Sequence, residues 1–335
     1  MHPHHNEADG RDAEPFDPIY LVPGQGASPY GALAHEFLAR SRTVSDVLER
    51  VDATSQAAGY PAVSRLLLDR ETSPDQPHGA EQLAHYAASV ALHAVLVECG
   101  FRPHSIVAVS LGEFAALVAA GVYSVESGAL AVCAMNDAYT EHPSPGGLAV
   151  VAADEAGAQS LIQRAASPDL VIAGINAPKQ TLISGSHEAI GDLLALASQP
   201  GLPIIRRLPV PYLTHHPRLE PAARYVEAAL RQLPTGPLGV PVYSVVRRRW
   251  YTEDDDLARE VPYAMTDAMH LREGLEQFSG DLSRRFIELG AGDTATRAAR
   301  TVLRGALTVA PLARNTSWTA QVIEASAPLN QEGAA

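Results

Sequence analysis

The stretch that decides the fold is VAVSLGEFAALVAAG, Val107 to Gly121. The run SIVAV before Ser110 is β-branched and small, and the run FAALVAAG after it is apolar and helical, so Ser110 stands where a strand turns into a helix. That is the position of a nucleophile elbow, small-x-Ser-x-small, with Ala108 and Gly112 two residues to either side. A serine that only caps a helix after a strand is common in α/β proteins. The short pattern leaves both readings open, and the rest of the chain has to choose.

Outward from the elbow the same alternation of elements continues. IYLVPGQGAS is a short apolar strand followed at once by a Gly-rich turn, and Tyr30 to Ala53 reads as a helical region. ETSPDQPHG, Glu71 to Gly79, reads as a linker, and Ala80 to Cys99 carries a long helical pattern before Pro103 and the strand into Ser110. Strand, loop, helix, strand in this order predicts a mostly parallel sheet covered by helices on both faces. The middle third changes character. GLAVVAA, DLVIAGI, KQTLISG and LPIIRRLPV read as strands, with helices DEAGAQSLIQRAA and HEAIGDLLALAS between them. The order β-α-β-β-α-β over 146–210 predicts a ferredoxin-like subdomain inserted into the α/β domain, whose two parts are 18–145 and 211–320. PVYSVV and FIEL are further strand candidates. Residues 1–17 and 321–335 read as loose tails.

Composition bounds the function. There are 25 basic and 38 acidic residues, a net charge of −13, which disfavours bulk nucleic-acid binding. Cys99 and Cys133 lie in apolar runs and form no CxxC, so neither a disulfide framework nor a cysteine metal site is expected. The start, MHPHHNEADGRDAEPFDP, lacks an apolar signal core and no stretch reads as a membrane span, so a cytoplasmic location is expected. The GQG turn lacks the GxxxxGK[ST] and GxGxxG patterns of nucleotide sites.

Six segments then line up in order with one family. Pro23-Gly24-Gln25-Gly26 is similar to its opening PGQG, Gln82 stands at its helix glutamine, and Ser110-Leu111-Gly112-Glu113 matches the end of GHSLGE. Asn176-Ala177-Pro178 with Ile183-Ser184-Gly185 is similar to NSP...ISG, His215-His216-Pro217-Arg218-Leu219-Glu220-Pro221 to HSPLMEP, and Glu288-Leu289-Gly290-Ala291-Gly292 to EVGPG. The chain resembles the malonyl-CoA:acyl-carrier-protein transacylases and the acyltransferase domains of polyketide synthases, and the fold expected from the resemblance is a hydrolase-like parallel-sheet core with an inserted ferredoxin-like subdomain.

The resemblance implies that Ser110 is a nucleophile toward an acyl thioester, with a base to take its proton. From spacing alone, His215 and His216 are equal candidates for that base; the resemblance assigns His215 and leaves His216 as a neighbour able to perturb it. The resemblance also implies a backbone carbonyl near Ala258 as the histidine's partner, and an oxyanion hole made by the N–H groups of Leu111 and Gln25. No resident cofactor or metal is expected; phosphopantetheine arrives on substrate proteins or on coenzyme A. The implied acceptor is an acyl carrier protein, which is also a possible donor.

Departures from the pattern bear on the substrate. GHS is Ala108-Val109-Ser110 here, and the arginine of V-x-x-R-G, which in the family pairs with a malonyl carboxylate, is Met135 in Val132-Cys133-Ala134-Met135-Asn136. Tyr212-Leu213-Thr214-His215 stands where the family has YASH or HAFH. Val109, Met135, Tyr212 and Thr214, with Asn176 and Gln82, are expected to line a roomy pocket with weak demand for charge, suited to an acyl group without a free carboxylate. Arg206, Arg207, Arg218 or Arg297 is the reserve candidate to replace the missing arginine. Arg247-Arg248-Arg249, with Arg206-Arg207, is the expected docking site for an acidic carrier, although an RRR run is often only a solvated turn. A chain of this length suggests a discrete enzyme acting in trans in polyketide biosynthesis. Alternatives are a malonyl transacylase, an acyl-carrier-protein thioesterase and a non-catalytic carrier-binding subunit.

Overall fold

A computed structural model describes residues 17–34, 36–69, 76–196, 199–280 and 282–313. Most of the Glu71–Gly79 linker, nearly all of the N-terminal tail and the whole C-terminal tail lie outside the described residues.

Among the described residues ten strands form two sheets: β1 (Ile19–Val22), β2 (Ser105–Ala108), β3 (Gly147–Val151), β4 (Val171–Ala177), β5 (Gln180–Gly185), β6 (Ile205–Leu208), β7 (Val242–Ser244), β8 (Arg249–Trp250), β9 (Phe286–Glu288) and β10 (Thr308–Val309). The larger sheet has the order β10-β9-β1-β2-β7-β8, parallel throughout except for β8, which pairs antiparallel with β7 at the edge. Its central strands β1 and β2 are buried along their whole length because both faces of the sheet are covered. Tyr20, Val22, Ile106 and Ala108 enter one core, while Ile19, Leu21 and Val107 enter the other. The first core is dominated by helix Ala80–Glu98, in which every residue from Gln82 to Leu92 is buried. It is enclosed by helices Arg42–Ala57, Gly112–Ala119 and Val125–Glu141.

The second sheet, order β4-β5-β3-β6, is antiparallel. With helices Glu155–Ala165 and His187–Leu196 it forms the expected ferredoxin-like β-α-β-β-α-β unit. Leu148, Ala173 and Leu182 carry its sheet into the second core of the large domain. The segment after Thr266 joins the two units: Met269 exchanges backbone hydrogen bonds with Ala173 and Ile175 of β4, at 3.0 and 2.8 Å.

Two local expectations change. The helical region Tyr30 to Ala53 is broken into Glu36–Ala39 and Arg42–Ala57, because Ser41 leaves the helix to accept a hydrogen bond from the Val44 N–H. The run RRRW, readable as a solvated turn, is half turn and half strand: residues 245–248 turn the chain and Arg249–Trp250 is the edge strand β8.

The elbow is built on close backbone approach. Ser110 has φ +54°, a left-handed conformation that costs energy for a residue with a side chain. Gly112 opens the next helix directly under β1, where a Cβ would run into the Val22 carbonyl oxygen and lie 2.6 Å from that of Pro23. The helix is then tied to the sheet by Glu113, fully buried, which accepts hydrogen bonds from Ser244 Oγ (2.5 Å) and Tyr251 Oη (2.9 Å). Burial pushes the Glu113 carboxyl up to about 7, against the hydrogen bonds from Ser244 and Tyr251, which favour the charged form.

Replacing Gly112 by alanine is expected to cost about 1–3 kcal/mol by overpacking, whereas Gly191→Ala, in a helix with nothing within 4 Å of the new methyl, should gain up to about 1 kcal/mol. Urea denaturation of both variants reads the two signs. Glu113 supplies a second test. A carboxyl raised in the folded state contributes stability that is present at low pH and lost as pH rises through its folded value. Glu113→Gln should therefore gain on the native protein in melting temperature between about pH 4.5 and 7 and keep a constant margin above that; parallel curves across this window would show that Glu113 does not titrate there.

Candidate active site

Ser110 and His215 are brought together from opposite sides of the inserted subdomain. Ser110 is presented by the turn after β2, and His215 by the segment that returns from β6. The backbone N–H groups around the histidine are engaged: Leu213 donates to the Ser144 carbonyl, Thr214 to Ser184 Oγ and His216 to the Met265 carbonyl. This holds His215 at φ +50°, the same strained region as Ser110. Ser110 Oγ lies 2.9 Å from His215 Nε2, and His215 Nδ1 lies 2.9 Å from the Asp267 carbonyl oxygen. A carbonyl only accepts, so Nδ1 carries the proton and Nε2 turns its lone pair toward the serine. Burial lowers the affinity of the ring for a second proton, offset in part by Asp267.

The carbonyl expected near Ala258 is thus supplied nine residues later. Ala258 instead lies in the short helix Leu257–Glu260, packed on the core. His216 turns away from the serine. Its Nε2–H donates to the Asp169 carbonyl (3.1 Å) and its Nδ1 accepts from the Arg218 N–H (3.2 Å), so it caps the turn Pro217–Leu219. The forces on the His215 ring include burial, which lowers its proton affinity, and Asp267, which raises it.

The PGQG turn closes over the elbow. A Cβ on Gly24 would stand 3.0 Å from Ser110 Cβ and 3.6 Å from the Leu111 nitrogen, so only glycine lets the turn sit this low. Leu111 precedes the first helical residue and its N–H is one of the donors a helix start leaves over. Gln25 is fixed by a relay in which Gln82 Nε2–H donates to Tyr212 Oη (2.9 Å) and Tyr212 Oη–H donates to Gln25 Oε1 (3.1 Å). Gln82 and Tyr212 therefore act on the turn from behind. The ELGAG stretch meets the same turn: a Cβ on Gly290 would lie 2.5 Å from Pro23 Cγ, and Glu288 accepts from the Ala295 and Thr296 N–H groups at the start of the next helix.

Beside Ser110 and His215 lies a small pocket, about 30 Å³, room for a water molecule or two. Leu111, Phe114, Met135, Val226, Val261 and Met265 form its apolar wall, and Thr214 lines it, with a buried Oγ1 that has no hydrogen-bond partner among the described residues. No Asp, Glu, Lys or Arg lines it among the described residues. Phe114, Tyr139 and Met135 narrow the space beside Ser110. Val109 is not part of the wall, since it points into the second core. Asn176 is also outside it, buried on β4 with an Oδ1 that has no partner among the described residues. None of the reserve arginines reaches the pocket: Arg218 pairs with Asp169 and Arg297 with Asp293, while Arg206 and Arg207 are exposed on the edge strand β6.

The basic cluster is consumed internally. Arg247 binds Glu260 and Asp267, Arg248 binds Glu273, and Arg249 binds Asp255 and Glu260. Each guanidinium already has its carboxylate, which leaves the run little charge to offer an acidic carrier. Sequence reasoning missed Asp267, Phe114, Tyr139, Val226 and Met265; only a carbonyl partner of unspecified side chain was foreseeable for the first, and the others carry no pattern beyond that of core residues.

Among the described residues no group of His, Cys, Asp and Glu could hold a metal ion, and no helix is long and apolar enough to cross a membrane. Erythronolide synthase EryA3 of Saccharopolyspora erythraea is 27% identical over 309 residues, which are 89% of this chain and 9% of that protein. The chain thus spans only a small part of the length of such relatives. The acyl transferase domain of SpnD, solved in complex with 2-(pent-4-yn-1-yl)malonyl, superposes with a TM-score of 0.79 at 25% identity, covering 93% of this chain and 75% of that one. The malonyl CoA-acyl carrier protein transacylase of Coxiella burnetii shares the fold, with a TM-score of 0.80 at 23% identity over 89% of this chain and 95% of that one. The acyl transferase domain model matches residues 19–318, and the chain belongs to that family.

Proposed function

We propose that the protein transfers an acyl group lacking a free carboxylate from an acyl thioester, through an ester on Ser110, to the phosphopantetheine thiol of an acyl carrier protein in polyketide biosynthesis. The observation that carries this reading is the Ser110 Oγ to His215 Nε2 contact of 2.9 Å beside a pocket whose wall carries no charged side chain among the described residues. In the first half-reaction Nε2 takes the Ser110 proton as Oγ bonds to the thioester carbonyl carbon. The oxyanion is met by the N–H groups of Leu111 and Gln25, each such donor being worth about 3 kcal/mol in comparable sites. Collapse breaks the carbon–sulfur bond, and the leaving sulfur receives the proton from Nε2. In the second half the carrier thiol gives its proton to Nε2 and attacks the ester, and Ser110 leaves with that proton.

A malonyl carboxylate against Met135 would lose its hydration without gaining a cation, a cost of several kcal/mol. Docking of the acidic carrier falls to Arg206 and Arg207, which are exposed on β6 and carry no ion pair among the described residues; Arg207 Nη2 lies 3.2 Å from His187 Nδ1.

Intact-protein mass spectrometry after incubation with acetyl, propionyl or butyryl thioesters should show a single acyl adduct that is absent in Ser110→Ala. Adduct persisting in that variant would remove Ser110 from the mechanism, and discharge to water as fast as to carrier thiol would make the enzyme a hydrolase. Because burial holds His215 below the usual histidine value of about 6.5, the acid limb of acylation should have its midpoint below that value. A limb at or above it would mean that the buried ring is not the base.

In direct competition, uncharged donors should load at least about tenfold faster than malonyl, as kcat/KM. Met135→Arg should shift that ratio toward malonyl. Preferred malonyl loading by the native protein would show that a basic group closes over the pocket when substrate binds.

A further inference from the structure

His215 is oriented by a carbonyl, and a carbonyl is only as well placed as the chain that carries it. Asp267 directly follows the short helix Tyr263–Thr266, its N–H bonded to the Tyr263 carbonyl at 2.9 Å. The side chains around it converge on the hairpin between β7 and β8. The Arg247 guanidinium lies 4.0 Å from the centre of the Tyr263 ring, gives Nε to Glu260 Oε2 at 2.7 Å and brings Nη1 to 3.4 Å from Asp267 Oδ2. Its backbone N–H is held by Ser244 Oγ at 3.1 Å, and the Ser244 hydroxyl donates to Glu113 on the helix that follows Ser110. The same hairpin accepts the His270 N–H on the Val245 carbonyl at 2.7 Å.

We propose that Arg247 is a positioning residue for His215, the fork that locks the Asp267 segment so that its carbonyl holds the imidazole in the Nδ1–H form facing Ser110. The assignment rests on the acyl-transfer reading of Ser110 and His215, and it replaces a docking role for this arginine. The planar fork suits the task, because one guanidinium spans Glu260 and Asp267 while stacking on Tyr263; a lysine point charge cannot do all three. Arg247 is a quarter exposed, in keeping with a clamp more than a free docking charge.

The test turns on the direction of a titration. The charged groups behind His215 are the Asp267 carboxylate, Arg247 and Glu260. Removing the Arg247 charge and nothing else would make His215 easier to protonate and raise its midpoint. Losing the Asp267 carbonyl at Nδ1 would do the opposite, since that hydrogen bond opposes the effect of burial. Arg247→Met keeps an apolar stem over Tyr263 and removes the fork, and Arg247→Lys restores the charge without the fork's geometry. With His215 assigned in labelled protein through His215→Gln, its NMR titration midpoint should fall by about half a unit or more in Arg247→Met. Ser110 acylation should lose about tenfold to a hundredfold in kcat with donor KM within about twofold, and Arg247→Lys should recover part of both. A midpoint that stays or rises, or a loss confined to carrier KM, overturns the proposal, as does loss of the fold in both variants, which would make the group a scaffold element. If the native protein forms no acyl adduct, the acyl-transfer reading fails while the titration still reports on the clamp.

Discussion

The structure is arranged around a backbone turned the wrong way. Ser110 sits at the centre of the three-residue turn that joins a buried strand to a buried helix, and it takes φ +54° there although it carries a side chain. Such a conformation persists only where its surroundings over-determine it. Here they do so through contacts too close for a side chain, with Gly112 under the Val22 and Pro23 carbonyls and Gly24 over Ser110. The strands on either side alternate strictly between two cores, so β1 and β2 cannot shift in register to relieve the turn without exchanging Tyr20 for Leu21.

The partner of that serine has a different kind of support. His215 belongs to neither sheet, and its loop is fixed by hydrogen bonds to three separate places, the Ser144 carbonyl, Ser184 Oγ and the Met265 carbonyl. Ser184 lies on the inserted subdomain, and the segment behind the histidine pairs with β4 through Met269. The cleft is thus set by two bodies at once. Ser110 is fixed by the large sheet, and the His215 imidazole is fixed where that sheet and the subdomain meet.

How much of this was legible follows from the range of the forces involved. Runs such as IYLV, SIVA and QTLISG announce themselves because apolar alternation and glycine turns are local properties of the chain. The Ser41 break in the first helical region was hidden, because capping competes with helix continuation within a few tenths of a kcal/mol to about 1 kcal/mol. The arginine run was legible as charge and misleading as function, since Asp255, Glu260, Asp267 and Glu273, which neutralise it, are supplied from farther along the chain. Met135 does line the pocket beside Ser110. Phe114 and Tyr139, which also line it, were not legible, because no motif directs their side chains. Of the pair at 215 and 216, spacing offered no choice and the family resemblance pointed to His215; the fold shows one ring bonded to Ser110 and the other to the Asp169 carbonyl.

The third member of the constellation is a peptide oxygen, and every residue type has one. Substitution at position 267 can alter the side chain while the acceptor itself survives, so the carbonyl has no letter of its own in the sequence, and only the carboxylate that meets Arg247 is tied to the residue type. Its accuracy is instead encoded elsewhere, in whatever keeps the peptide from rotating. A designer who wishes to retune the histidine can exchange the carboxylate at 267 but not the acceptor oxygen, whose placement depends on the hairpin and the β4 pairing that hold the segment. Comparisons of residue identity alone would pass over the position that sets the tautomer.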